Sequence, residues 1–564
     1  MTDRTSLVVR HAGPKILPWN LFFTRLLRFA HERPPRLAIR DVVAQREADY
    51  VQLLSDVLHM RSRLLESLPN SVIENLDDDQ EVFISVLAAG GYEYTVGVLA
   101  VLATGAAVVP ISVALSPAEA LYYASKSRSV ALLHSSLAAS QPAELEKLVY
   151  QSGNESFQRF SIAPSCFSAV VDPNTVFISS DRCLDPNNAG VVIFTSGTTG
   201  PPKGAVMRRT HYFDEALGVV DHYQIISSDV LLHLLPVHHA TGVGMMFFPF
   251  LIAGAAIEFR SDGFDPGWTW ERFRRRGLTF FSAVPTIYMR MKRYFEERLA
   301  DRAEADDYIA GVRSLKVCMC GTSALPKPIA DFWTQLLGKK IMLRYGGTEF
   351  GATLRQRIGD DEVPDGSVGE VTPGVELELS EGAEGEILTK GPWMFSRYLD
   401  DRQMTAEAHN KRGFYKTGDI GRREGKYFWI MGRASVDIIK SGGYKISALD
   451  VEREILSLPY IQEVMVVGVE DEEFGQRVAA VVVLREVKQI SLEQLRQDLK
   501  ARLAGYKMPT LLRLLDGELP KSGTGKVVKK TLGPQFFPKD YRKTGLVQVW
   551  DARRRDMQTG KSKL

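Results

Sequence analysis

Cysteine is scarce: four in 564 residues cannot form a disulfide framework, and Cys166, Cys183, Cys318 and Cys320 show no paired CxxC units of the kind that hold zinc. They read as buried thiols of a reducing compartment, with Cys318 and Cys320 on one side of one strand. Surplus charge is lacking too. Seventy Lys and Arg against 68 Asp and Glu leave +2, so no basic footprint for nucleic acid is present. No repeat of fixed period is visible. A single apolar run, Val96 to Leu115, has the length of a membrane span, and Gly105 and Pro110 divide it into a helix end and a short strand. The amino terminus carries Arg4, Arg10 and Lys15 without an apolar core ahead of a small-residue cleavage site, which argues against a secretory leader.

What is present is ordinary globular composition, 45% apolar and 24% charged. At ~100–200 residues per domain the chain is too long for one core. Helical and strand patterns alternate over residues 19 to 190, the pattern of parallel sheets covered by helices. The stretch around which the rest is organised is Ile193 to Ala205, IFTSGTTGPPKGA. An apolar strand runs into a loop in which Gly197 and Gly200 allow backbone N–H groups to turn inward. Thr195, Ser196, Thr198 and Thr199 add hydroxyls, and Lys203 adds a point charge. Such a loop grips a polyphosphate. It is no Walker loop, because Lys203 is followed by Gly204 and Ala205 rather than by Ser or Thr entering a helix. A flexible linker is the bland alternative, but linkers seldom follow a buried-strand signal such as Val191 to Phe194.

TSGTTGPPKG resembles the signature of the adenylate-forming superfamily, which comprises acyl-CoA synthetases, peptide-synthetase adenylation domains and luciferases. The resemblance runs from about Trp19 to about Leu532. It implies an α/β fold with a large domain of stacked sheets, 1–432, and a small mobile α+β lid, 433–564. In LLHLLPVHHATG it puts His239 between the acyl pocket and the pantetheine tunnel, although a histidine on an apolar strand is more often a satisfied core residue. In LKVCMCGTSA it sets Gly321, Thr322 and Ser323 against adenine. In RYGGTEFG it gives Arg344, Tyr345 and Gly346 to the nucleotide site, Thr348 to the α-phosphate and Glu349 to Mg²⁺, a hard ion that prefers oxygen. Asp419 of YKTGD would accept the ribose hydroxyls, and Arg433 would reach the ribose or phosphate.

Beyond Arg433 the chain has Ala-Ser-Val-Asp, one residue more than many relatives, and the pivot is Ser435 or Asp437. Lys440, Gly442, Gly443 and Tyr444 would wall the CoA tunnel. Lys526, in KSGTGKVVKK, is the second diagnostic lysine, while Lys529 and Lys530 read as a surface basic patch. One lid cannot offer Lys526 and the 440–444 loop together, so a rotation between half-reactions is expected. The Arg272 to Arg276 run reads as a solvated face.

The resemblance implies an ATP-dependent acyl-CoA synthetase with ATP, Mg²⁺ and CoA. Lys526, Lys203, Thr348 and His239 are its candidate catalytic groups. Alternatives are a stand-alone adenylation enzyme loading a carrier protein and a luciferase-like oxygenase. A non-catalytic scaffold would not retain Lys203, Thr348, Glu349, Asp419, Arg433 and Lys526 together. HLLPVHHATG, AVPTIY and GRASVDIIKSGGYKISALDVE look most like the malonyl-CoA synthetase branch, with Arg290 the candidate cation for a distal carboxylate and Arg344 bracing it. Thr241, where that branch tends to have a second histidine, and Gly347, which would empty the pocket wall, instead favour a larger apolar acid. Ser562, Lys563 and Leu564 form a peroxisomal import signal, so peroxisome is expected over cytoplasm.

Overall fold

In the computed structural model the described residues are 13–195, 201–321, 324–360, 362–442, 444–485, 489–522 and 526–550. Continuous apolar strands such as VLLH (230–233), FFSA (280–283) and VCMC (317–320) lie buried on both faces, as parallel sheet interiors require. They form the middle of a nine-stranded sheet that runs from Glu370–Val371 at one edge to Arg46–Asp49 at the other. A seven-stranded sheet holds Phe83–Leu87, Ala107–Ile111 and Ala189–Thr195. The helix Tyr92–Thr104, buried at every residue but Glu93, belongs to the core shared by the two sheets. It accounts for the long apolar run: the helix stops at Gly105, whose φ of +93° suits glycine, and the chain resumes as the strand Ala107–Ile111. Among the described residues no helix is long and apolar enough to cross a membrane.

A four-stranded antiparallel sheet, Glu376 to Arg433, closes the large domain, and a short turn leads into the lid. In the lid, the strands Ile461–Asp471 and Gly475–Leu484 alternate their side chains between two cores. One core takes the helices Ala448–Leu456 and Leu492–Leu499, and the other takes Lys529–Phe536. The α/β fold with a large domain and a small lid is therefore as the sequence implies. The thiols need a correction: Cys318 and Cys320 are buried on one strand, but Cys166 is only half-buried and Cys183 is exposed.

Candidate active site

Between the two domains lies a cleft of about 2220 Å³, larger than the ~300–1,000 Å³ of a single small-ligand pocket. The strand Ala189–Thr195 returns antiparallel as Lys203–Arg208, pairing Thr195 with Lys203. A strand rather than a helix therefore follows the phosphate-type loop. Ser196, Gly197, Thr198, Thr199 and Gly200 lie outside the described residues, as do Thr322 and Ser323.

Strand pairing also builds the RYGGTEFG element. Met342–Gly347 and Gly351–Arg355 form a hairpin whose three-residue tip, Thr348–Phe350, ends at Gly351 with a φ of +65°. At Gly346 a Cβ would lie 2.1 Å from the Gly351 carbonyl oxygen, so only glycine lets the strands close. Thr348 and Glu349 are thereby presented to the cleft. The Tyr398 hydroxyl donates to Glu349 Oε1 at 2.8 Å and lies 3.2 Å from the Tyr415 hydroxyl. Burial and the Glu349 charge hold the Tyr398 phenol well above its ordinary pKa, so it keeps its proton to donate. Lys203 Nζ stands 5.6 Å from the Tyr398 ring centroid.

Asp419 accepts from the Tyr345 hydroxyl at 2.7 Å and from Arg433 Nε at 3.1 Å. Burial raises its pKa, and Arg433 and Tyr345 counter that. Lys526 reaches into the same space from the lid. Its side chain is open to the cleft, yet the enclosing walls and then Arg433 lower its pKa, with Asp419 opposing. That ammonium also acts on His239, whose pKa is lowered by burial first and by Lys526 second; His238 falls to about 3 through burial and its neighbour. Both rings are neutral at physiological pH. They precede a widened helical turn, Thr241–Phe247, in which Gly242 is obligatory because a Cβ would meet the Pro236 carbonyl oxygen at 2.1 Å.

On the acyl side one expectation is corrected, the room expected at Gly347. Arg290 is exposed at the cleft, with its guanidinium 4.8 Å from the Phe264 ring centroid, on the face of the helix Pro285–Arg298 that also brings Thr286, Met289 and Arg293 to the cleft. Gly347 leaves no void, since the Phe350 ring lies where its side chain would be, 2.5 Å from an added Cβ. The buried cation is Arg344, 9% exposed, which lines the cleft and slides past Gly321. Its only described hydrogen bonds are long ones, to Met319 Sδ at 3.5 Å and Ser282 Oγ at 3.4 Å. Across the hairpin it faces Arg355, which is 1% exposed, donates from Nε to the Ala352 carbonyl, and has no described partner for Nη1 or Nη2. Neither guanidinium has a carboxylate at ion-pair distance among the described residues.

In the lid, Lys440, Gly442 and Tyr444 are not among the residues lining the cleft. Tyr444 instead stacks on Tyr506 with centroids 4.2 Å apart. Gly443, Ser562, Lys563 and Leu564 are outside the described residues. Ser435 is exposed in the joining turn, while Asp437 is tied on both sides, to the Arg433 N–H and to Lys529. Lys529 is therefore no surface charge. Sequence reasoning missed Tyr398, Tyr415, Arg355 and the role of Lys529; a lone Tyr or a basic pair carries no spacing signal.

The AMP-binding enzyme family model matches residues 30–399, and the AMP-binding enzyme C-terminal domain matches 450–526. The chain is 34% identical over 521 residues to a CoA ligase of Gibberella moniliformis, covering 80% of this chain and 85% of that one. It is 32% identical over 498 residues to the mitochondrial malonate–CoA ligase of Mus musculus, covering 82% and 83%. Among solved structures, ATP-bound MatB from Rhodopseudomonas palustris superposes with a TM-score of 0.77 at 25% identity, covering 93% of this chain and 99% of that one.

Proposed function

Because the chain belongs to the AMP-binding enzymes and is an AMP-forming CoA ligase, we propose that the acid it activates is a short dicarboxylate of the malonate class. Thioester formation from a carboxylate in water is uphill, and this class of enzyme couples it to ATP. The carboxylate oxygen attacks the α-phosphorus and pyrophosphate leaves; the CoA thiol then attacks the acyl carbonyl and AMP leaves. Lys203, Thr348 and Lys526 surround the α-phosphate oxygens as they gain charge, Asp419 and Arg433 hold the ribose, and neutral His239 borders the acyl carbonyl.

The observation that carries the substrate assignment is Arg344. A buried guanidinium with no carboxylate partner is costly, more so with the like charge of Arg355 directly across the strands. A distal substrate carboxylate would pair with Arg344, the one of the two that lines the cleft. The similarity to malonate–CoA ligases supports the same reading. The larger-acid reading loses ground, since the room expected at Gly347 is taken by Phe350. Pyrophosphate release across short dicarboxylic, aromatic and medium-chain acids tests the assignment: malonate-class acids should lead, and a clear preference for an apolar monocarboxylate would overturn it.

Mg²⁺ fits this site as an ion that arrives with the polyphosphate. Glu349, oriented by Tyr398, offers one carboxylate, and among the described residues no cluster of three ligating side chains forms a protein cage. Bound there, it would neutralise phosphate charge. We also place the enzyme in the peroxisome through Ser562, Lys563 and Leu564 and their import receptor. A fusion tagged at the amino terminus should be punctate in eukaryotic cells and become diffuse when Leu564 is deleted; diffuse signal from both would exclude it.

A further inference from the structure

We propose that Lys529 is a positioning residue that holds the lid with Lys526 in the cleft, acting through Asp437 in the turn that joins the domains. The inference rests on the two-step ligase reading and adds the element that sets which step the lid serves.

The joining turn is closed by its own backbone: Val436 N–H and Asp437 N–H return to the Arg433 carbonyl at 3.1 and 2.8 Å. One carboxylate oxygen of Asp437 accepts from the Arg433 N–H at 3.0 Å, and the other accepts from Lys529 Nζ at 2.6 Å. The turn is tight. A Cβ on Gly432, where φ is +119°, would fall 2.3 Å from the Asp437 Cβ. Lys529 also meets Glu452 Oε1 at 2.8 Å, and that oxygen accepts the Val466 N–H at 2.7 Å. A single buried ammonium thus bridges two carboxylates, one in the turn and one on the lid helix Ala448–Leu456.

Position gives this bridge its consequence. Lys529 stands three residues beyond Lys526, at the start of the helix Lys529–Phe536, so it fixes the segment that carries Lys526. Arg433, whose N–H the turn engages, holds Asp419 with its side chain. An unbroken series of contacts therefore runs from the nucleotide carboxylate of the large domain through Arg433, Asp437 and Lys529 to the Lys526 segment. A rotation of the lid at Asp437, one of the two pivots the sequence offers, leaves its carboxylate on the Arg433 N–H and carries Lys529 away from it with the lid. Glu452 travels with the lid too. The contact between Asp437 and Lys529 is the one that must change, and it lowers the energy of the arrangement in which it is made.

The competing account is that Lys529 merely neutralises the two carboxylates of Asp437 and Glu452. Half-reactions separate the two in the purified full chain. With Lys529→Met, acid-dependent ATP–pyrophosphate exchange should fall about 10²-fold, the scale of a small misplacement of a catalytic group. CoA-dependent consumption of supplied malonyl-adenylate should stay near wild type, and Lys529→Arg should recover most of the exchange. Limited trypsin digestion needs no substrate: cleavage after Arg433 should quicken in Lys529→Met while cleavage at Arg477 and Lys521, inside the lid, stays slow. Unchanged exchange, equal loss of both half-reactions, or cleavage throughout the lid overturns the proposal. If Lys529→Met does not fold, Asp437→Asn carries the same expectations in weaker form. Absence of exchange in the wild type with every acid would instead overturn the ligase reading, leaving the trypsin comparison to decide the role of Lys529.

Discussion

The two sides of the cleft are held in place by different means. On the large-domain side, strand register does the positioning: Lys203 is fixed opposite Thr195, and Arg344 opposite Arg355, by ladders that continue into seven- and nine-stranded sheets. On the other side, Lys526 depends on a turn of a few residues closed by Asp437 and Lys529. A group on a sheet cannot leave without breaking the sheet, whereas a group beyond a turn can leave by changing a few dihedrals. Substrate identity therefore belongs to the wall, and the order of chemical steps to the lid.

The hardest test of the wall is Arg344→Ala. If a distal carboxylate meets this guanidinium, truncation removes one member of a buried charge pair, which costs ~2–5 kcal/mol. At 1.36 kcal/mol per tenfold this is about 30-fold to several thousand-fold in kcat/KM for malonate. Acetate-sized acids should lose much less. Equal loss for malonate and acetate would show that Arg344 serves folding rather than selection.

For the lid the corresponding change is Lys526→Ala. Removing one donor aimed at developing charge costs ~10²–10³ in rate, and the loss should fall on ATP–pyrophosphate exchange. The second half-reaction, measured from supplied acyl-adenylate and CoA, should proceed at close to the wild-type rate, because the proposed rotation takes Lys526 out of the cleft. Lys203→Ala provides the contrast. Its lysine stays on the strand Lys203–Arg208 through both steps, so its effect should not be confined to one.

The wall was more legible in the sequence than the contacts that tune it. Buried parallel strands announce themselves as short apolar runs, and glycine-rich hairpin tips as motifs, so Lys203, Thr348, Glu349 and Asp419 could be read in order along the chain. Arg344 and Arg290 could not be told apart in the same way. Both follow apolar residues and both line the cleft, and only pairing with Gly351–Arg355 buries Arg344 while Arg290, on a helix at the cleft mouth, stays exposed. Gly347 was misread for a related reason: a missing side chain implies space only if no neighbour three residues away fills it, and Phe350 does. Lys529 looked like half of a basic pair, since its two carboxylate partners come from 92 and 77 residues earlier in the chain.

Filling that neighbour's space should cost stability. In Gly347→Met the new Cβ meets the Phe350 ring edge, and Phe350 is packed between Tyr345 and Tyr415, with ring centroids 5.8 and 5.3 Å away. Overpacking of this kind costs about 1–3 kcal/mol. A fall of several degrees in the large-domain Tm, with kcat/KM reduced for acids of every size, is expected. Size-selective loss at an unchanged Tm would show that Gly347 does face open pocket.

The smallest effect is expected at the rim, where Arg290 provides the counterpart to Arg344. An exposed guanidinium over one aromatic ring contributes roughly 0.5–1 kcal/mol to local packing, and water already solvates its charge. It is at the mouth of the cleft, so its field can add to the attraction of anionic substrates, but that contribution is screened over ~8 Å at physiological salt. Arg290→Ala should therefore leave kcat with malonate unchanged and raise KM only slightly, with the difference vanishing as salt is added. Steady-state kinetics at two ionic strengths read this directly. A salt-independent loss comparable to that of Arg344→Ala would mean that the rim closes onto the substrate and that the two cations act as a pair, which would erase the distinction between a preformed wall and a rim that only attracts.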